Sequence, residues 1–118
     1  MEKRIFKVAV TVYKKDEMIY FSQLDLMKIF ERALRRAKLP LYFTQGFNSR
    51  PKMSFSRALK LGCEGEEKVI FYFIDRVDEE LLKDKLISQL PQGLEVVDCV
   101  YIDYSERKKG TGYFFDIV

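Results

Sequence analysis

Hydrophobic residues in this chain change their spacing several times, and the order of those changes limits the folds open to it. Between Arg4 and Lys14, Phe6, Val8, Val10 and Val12 recur at every second position, with Lys7, Ala9, Thr11 and Tyr13 between them. Period two with β-branched residues is the pattern of a half-buried strand. The polar run Lys14-Lys15-Asp16-Glu17 reads as the turn that ends it. Ser22 then offers an N-cap, with Asp25 three residues on as a capping-box partner. From there to Lys38 the apolar positions Leu24, Met27, Phe30, Leu34 and Ala37 step by threes and fours, which is one buried helical face. Pro40 stops the helix, because the residue before a proline avoids helical geometry.

The remainder of the chain repeats this change of period. Leu41–Gln45 is short, apolar and aromatic, the composition of a second strand. Gly46-Phe47-Asn48-Ser49-Arg50-Pro51 interrupts it as a loop, and Lys52–Arg57, with Met53 and Phe55 alternating, continues the strand beyond. Leu61–Gly65 is a turn. Glu67–Asp75 carries large apolar residues on both faces, as a central strand does. Val77–Leu90 spaces Leu81, Leu82, Leu86 and Leu90 as a helix and opens with Asp78, Glu79 and Glu80, where a helix dipole favours acids. Pro91 and Gly93 end it. Leu94–Tyr104 alternates again, Val96, Asp98, Val100 and Ile102 against Val97, Cys99 and Tyr101. A Lys108-Lys109-Gly110 turn and the apolar Tyr113–Val118 complete the chain as a short hairpin strand.

The resulting order, βαββαβ, defines an α+β expectation. It is a ferredoxin-like split β-α-β sandwich with both helices on one face and a short C-terminal hairpin strand, a single domain over residues 1–118. By analogy at the level of fold alone, the open sheet face of such a sandwich is a frequent RNA platform.

Charge divides the chain unevenly. Lys28–Lys60 holds nine basic residues and one acid, Glu31, while the remainder carries 12 basic and 17 acidic residues. The whole-chain charge of +3 hides that division. A local excess of this size marks a docking surface for a polyanion more readily than a requirement of the fold. Lys28, Arg32 and Arg35 follow one another at i, i+4 and i+7 on the first helix, with Arg36 beside them. Arg50, Lys52, Arg57 and Lys60 extend the run, and Tyr42, Phe43, Phe47 and Phe55 interleave flat rings with the cations. Cations for phosphates and rings for unpaired bases are the chemistry of single-stranded nucleic-acid binding.

Other chemistries are narrowed by what is missing. The chain contains no histidine, which removes a Ser-His-Asp triad, a Cys-His pair and histidine acid–base catalysis. Its two cysteines, Cys63 and Cys99, have no CxxC spacing, so neither a metal ligand set nor a resident cofactor is expected. Both read as reduced thiols in the core or at a strand end. No long apolar run and no signal-peptide pattern occur, which points to the cytoplasm and away from a membrane partner.

Phe21-Ser22-Gln23-Leu24-Asp25-Leu26-Met27, Phe30–Ala37 and Leu39-Pro40-Leu41 resemble the opening signature of an uncharacterised radical-SAM-linked domain family. The resemblance continues through Gln45-Gly46-Phe47, Pro51–Phe55 and Leu61-Gly62, and more loosely through Leu90–Leu94. Members are fused to, or encoded beside, radical SAM proteins, often near genes for ribosomal components and an RNA-processing nuclease. The resemblance therefore implies an accessory role in RNA modification or maturation. Members run longer, so it also implies a minimal or truncated form here. The family loop usually reads Gly-Phe-His-Pro-His-Pro, whereas Asn48 and Arg50 occupy both histidine positions here, and Arg50 supplies a phosphate donor instead. The chain also lacks the three-cysteine cluster motif of a radical SAM catalyst.

The combined expectation is an RNA-binding accessory domain, with tRNA or rRNA and a radical SAM protein as partners. Lys28, Arg32, Arg35, Arg36, Arg50, Lys52 and Arg57 are the candidate RNA contacts. Gln23, Asp25, Gln45, Gly46, Phe47, Asn48 and Ser49 form a candidate ligand loop, in which Gln23 and Asp25 would orient Arg50, and Phe47 is read as a core plug before a stacking ring. Asp25 and Glu31 are expected to cap the helix and pair with Lys28 or Arg35. Two alternatives stand beside this reading: a protein-interaction module docking on the radical SAM partner, and a metal-independent endoribonuclease with Tyr42 or Lys52 as base. No catalytic residue is assigned.

Overall fold

The period-two segment at the start of the chain forms a strand in the computed structural model, which describes residues 5–57 and 59–102 apart from the side chain of Arg57. The elements are β1 (Phe6–Lys14), a 3-10 helix (Asp16–Tyr20), α1 (Gln23–Arg36), β2 (Met53–Arg57), β3 (Gly65–Phe73), α2 (Glu79–Gln89) and β4 (Leu94–Tyr101). The fold is thus α+β, a four-stranded sheet of order β2-β3-β1-β4 whose neighbours are all antiparallel, with two helices. It follows that β1 and β2 run the same way with β3 between them, and β3 and β4 run the same way with β1 between them. The strand expected at Tyr113–Val118 and the turn before it lie outside the described residues. Among those described, no helix is long and apolar enough to cross a membrane.

One sheet face carries both helices. Val8, Val10 and Val12 of β1 and Val69, Phe71 and Phe73 of β3 share a buried cluster with Leu26, Phe30 and Leu34 of α1 and Leu82 and Leu86 of α2. Phe30 sits at its centre, its ring 5.6 Å from that of Phe71 and 6.2 Å from that of Phe55. The buried stripe of α1 is Leu26, Phe30, Ala33 and Leu34, running on to Ala37, while Leu24 is exposed and Met27 only half-buried. Three apolar residues in the first turn allow two phases, and contact with the sheet selects the one through Leu26. In α2, Leu82 and Leu86 are buried but Leu81 is exposed.

Local chemistry sets the helix ends. The Asp25 N–H donates to Ser22 Oγ (3.2 Å) and the Ser22 N–H returns a bond to Asp25 Oδ2 (3.0 Å), a reciprocal capping box. Asp78 caps α2 by accepting from the Leu81 N–H. At the far end of α1, Lys38 adopts a left-handed φ of 56°; the Leu39 N–H reaches Leu34 O and the Lys38 N–H reaches Arg35 O. That is a Schellman termination with lysine where glycine is usual, so the helix stops before Pro40 has any effect. Lys85 of α2 donates to Ala37 O at 3.1 Å and takes up a further carbonyl there.

Two strands depart from simple alternation. Val12 pairs with Val96 and Thr11 with Asp98, which leaves Val97 as a β-bulge. Val96 and Cys99 consequently both face the core, and the expected grouping of Val97 with Cys99 is broken. The expected strand Leu41–Gln45 is absent as a ladder. Leu41 bridges Phe73, the chain leaves the sheet, Phe43 bridges Pro51, and Met53 rejoins opposite Phe71. Residues 42–52 are thus a ribbon inserted into an edge strand, and β2 is the continuation expected at Lys52–Arg57. The ribbon closes on itself through Thr44 N–H to Arg50 O (2.8 Å) and Lys52 N–H to Tyr42 O (2.8 Å).

Lys14 belongs to β1 and not to the turn. Its ammonium is buried on the core face, 3.2 Å from Glu67 Oε2, with side-chain exposures of 2% and 3%. The turn falls one residue later, where Lys15 N–H donates to Gly93 O at 2.9 Å. Gly93 has φ of +101°, and a Cβ there would lie 2.7 Å from Met18 Cγ and 3.0 Å from Lys15 O, so both conformation and space require glycine.

Candidate nucleic-acid interface

With Leu26, Phe30 and Leu34 turned into the core, helical geometry leaves Lys28, Arg32, Arg35 and Arg36 exposed on the outer side of α1. Residues 28, 32 and 35 follow one another at i, i+4 and i+7 as expected, with Arg36 displaced to one flank. Among the described residues, none of the four is ion-paired.

The inserted ribbon lies against the other flank. Arg50 engages Glu31 of α1 in a fork, Nε to Oε2 at 3.0 Å and Nη2 to Oε1 at 3.4 Å. The Arg50 N–H also donates to Thr44 Oγ1, and Arg35 stacks its guanidinium 5.4 Å above the Phe43 ring. The fork has two consequences. It occupies the only acid in the basic segment, and it fixes the ribbon beside the helix so that both present one surface. Glu31 was expected to pair with Lys28 or Arg35, and the sequence separation of Arg50 hid the actual partner.

At the ribbon tip, Gly46 has φ of +116° and turns the chain sharply between Gln45 and Phe47. Gln45, Asn48 and Ser49 are exposed there. Phe47 is fully exposed, with a relative accessibility of 103%, so it is a presented ring and not the core plug expected from its hydrophobicity. The ribbon is too narrow to bury anything at its end.

Other candidates fall elsewhere. Asp25 accepts from both Ser22 N–H and Ser22 Oγ–H, so its carboxylate serves the cap and does not orient Arg50; these bonds hold its carboxyl below the ordinary 3.8. Gln23 is the exposed first residue of α1. Lys52 places its ammonium 5.1 Å over the ring of Tyr72, on the sheet face away from the helices. Lys7 approaches the same ring at 5.7 Å, and the Tyr72 hydroxyl is 3.2 Å from Ser54 Oγ. Tyr72 is only 5% exposed, which removes it as a stacking platform on that face. Arg57 ends β2 opposite Lys68. The described residues contain no group of three acidic or thiol side chains placed to hold a metal ion.

A groove on the Arg36 flank of α1 has no signature in the sequence. It encloses about 440 Å³ between the 3-10 helix, α1 and the end of α2. Its apolar walls join Ile29 and Ala33 of α1 to Met18, Phe21 and Pro91 outside it, and a helical pattern carries no record of what the neighbouring segments leave uncovered.

Comparison with curated proteins and with solved structures finds no match. Residues 7–111, which span every described strand and helix except the first residue of β1, match the family described as "Uncharacterized protein conserved in bacteria (DUF2344)", and the chain belongs to that family.

Proposed function

We propose that the chain is an RNA-binding accessory domain that grips a single-stranded segment with the outer side of α1 and the adjoining ribbon. The observation that carries this reading is the pairing of four exposed cations on α1, Lys28, Arg32, Arg35 and Arg36, none ion-paired among the described residues, with the bare ring of Phe47 on the adjoining ribbon. Cations hold the phosphate chain and the ring stacks an unpaired base, a combination that tolerates many sequences. The Arg50–Glu31 fork supports the reading by holding the ribbon in place before RNA arrives. Work alongside a radical SAM protein in RNA modification or maturation rests on the motif resemblance from Phe21 to Gly62 and, more loosely, from Leu90 to Leu94. Assignment to the ferredoxin-like class is supported by the two interleaved connections, β1-α1-β2 around β3 and β3-α2-β4 around β1.

The test is fluorescence anisotropy of labelled tRNA and rRNA fragments against the wild type and an Arg32→Glu/Arg35→Glu double variant. Both residues are exposed, so the fold should survive. Binding should weaken with salt at a log–log slope of about −0.7 for each phosphate contact, and roughly −3 if all four cations engage. The double variant should lose at least half of that slope. No binding at low salt would remove the RNA reading.

Phe47 also supports a second reading, a module docking on a protein partner, because a bare aromatic ring is a typical interface anchor. Capture of the radical SAM partner by the nucleic-acid-free domain, lost in Phe47→Ala, would favour it.

A further inference from the structure

The groove beside α1 combines three kinds of surface. Phe21, Ile29 and Pro91, with Met18, provide apolar walls. Arg32 and Arg36 line it one helical turn apart, with no carboxylate among its lining residues. Gln89, the last residue of α2, contributes a carboxamide. At about 440 Å³ the groove falls within the range of small-ligand sites. Its charge selects an anion, and its apolar walls select an anion with a flat, weakly polar body. A carboxamide offers donors and an acceptor together, as an edge that reads a base must.

Arg32 belongs both to this groove and to the exposed cationic row of α1, so a strand held on that row reaches the groove without leaving the protein. We infer that the groove is a subsite for one unpaired nucleotide of a bound RNA strand. Its base lies against Phe21, Ile29 and Pro91, its edge meets Gln89, and its phosphate meets Arg32 and Arg36. This rests on the RNA-binding reading of α1 and adds to it a second base site, on the opposite flank of the helix from Phe47.

The test uses the Phe47→Ala protein, in which the bare ring at the ribbon tip is gone, so that a base preference sensitive to Gln89 reports the groove. Anisotropy would compare a short mixed-sequence oligoribonucleotide with an abasic oligomer of the same length, with and without Gln89→Leu, after circular dichroism has shown each variant folded. The base-containing oligomer should bind at least about fivefold more tightly, the lower end of what one stacked base contributes. Gln89→Leu should bring that ratio towards one and leave the abasic affinity unchanged. Equal, salt-sensitive binding of both oligomers would overturn the subsite while leaving the RNA reading intact. A base preference that Gln89→Leu does not alter would place the base elsewhere and also overturn it. Displacement of the oligomer by AMP at comparable concentration would make the groove a free-nucleotide site, against the proposal. Binding of neither oligomer at low salt would end both readings together.

Discussion

Replacing Lys14 by methionine should be among the most damaging single changes available in this protein. The Lys14 ammonium and the Glu67 carboxylate are both almost fully buried and lie 3.2 Å apart. Glu67 Oε2 also accepts the Leu59 N–H at 2.9 Å, whereas Oε1 has no hydrogen-bond partner among the described residues. Lys14→Met keeps the volume and removes the cation, leaving a buried carboxylate held by one backbone bond. Breaking a buried pair in this way costs about 3–5 kcal/mol. A domain of this size has roughly 5–15 kcal/mol to lose. Lys14→Met/Glu67→Leu removes both charges. Apolar replacement of a buried pair is neutral or favourable by about 1–4 kcal/mol, offset by about 1–3 kcal/mol for the stranded Leu59 N–H. The double variant should therefore lie within about 3 kcal/mol of wild type, with a coupling of at least about 3 kcal/mol. Urea unfolding of the wild type, both single variants and the double variant measures this directly, provided the slopes agree. A Lys14→Met cost below about 1 kcal/mol, or single effects that simply add, would refute the argument that desolvation dominates this pair.

Lys38→Gly should raise stability by roughly 0.5–1 kcal/mol, because it relieves a left-handed lysine in the α1 termination; a lower urea midpoint would contradict that. Gly93→Ala should cost about 1–3 kcal/mol from its φ of +101° and the approach of Met18 and Lys15, measurable as a fall in Tm. Burial, with Asp98 adding to it, pushes the Cys99 thiol up to about 11, whereas Cys63 is exposed. A raised thiol pKa keeps the reactive thiolate scarce until the pH approaches that value. At about pH 8, iodoacetamide should therefore label Cys63 alone in the native protein and both cysteines after denaturation, as peptide mass spectrometry would show. Equal native labelling would place Cys99 outside the core.

Much of the fold could be read from local pattern because local interactions decide it. The alternation of Phe6–Val12 and the Ser22/Asp25 cap depend on neighbours within a few residues, and both appear where expected. The failures share a different cause. Leu24 and Leu26 both suit a buried position, and only the sheet chooses between them. Lys14 looks like a turn residue until Glu67, 53 positions away, is placed beside it. The Val97 bulge follows from pairing with β1, which the alternation of β4 alone does not encode.

The candidate site divides in the same way. The row of cations on α1 follows from helical spacing and was legible. Its assembly with the ribbon was not, since it depends on Arg50 meeting Glu31 and on Arg35 covering Phe43. Phe47 departs from the core position expected of it because hydrophobicity alone does not distinguish a core ring from one carried at the end of a narrow ribbon. Lys52 shares the sequence of the basic segment but faces the opposite side of the sheet, over Tyr72. Charge counted along the chain merges two surfaces that the fold separates.

The most direct test of the central claim is photo-crosslinking of thiouridine-substituted tRNA and rRNA fragments to the protein, with the attached peptides mapped by mass spectrometry. The account predicts adducts on the ribbon, centred on Phe47, and on α1 between Lys28 and Arg36. Adducts confined to the sheet face away from the helices, around Thr11, Lys68 and Tyr72, from RNA demonstrably bound, would contradict it.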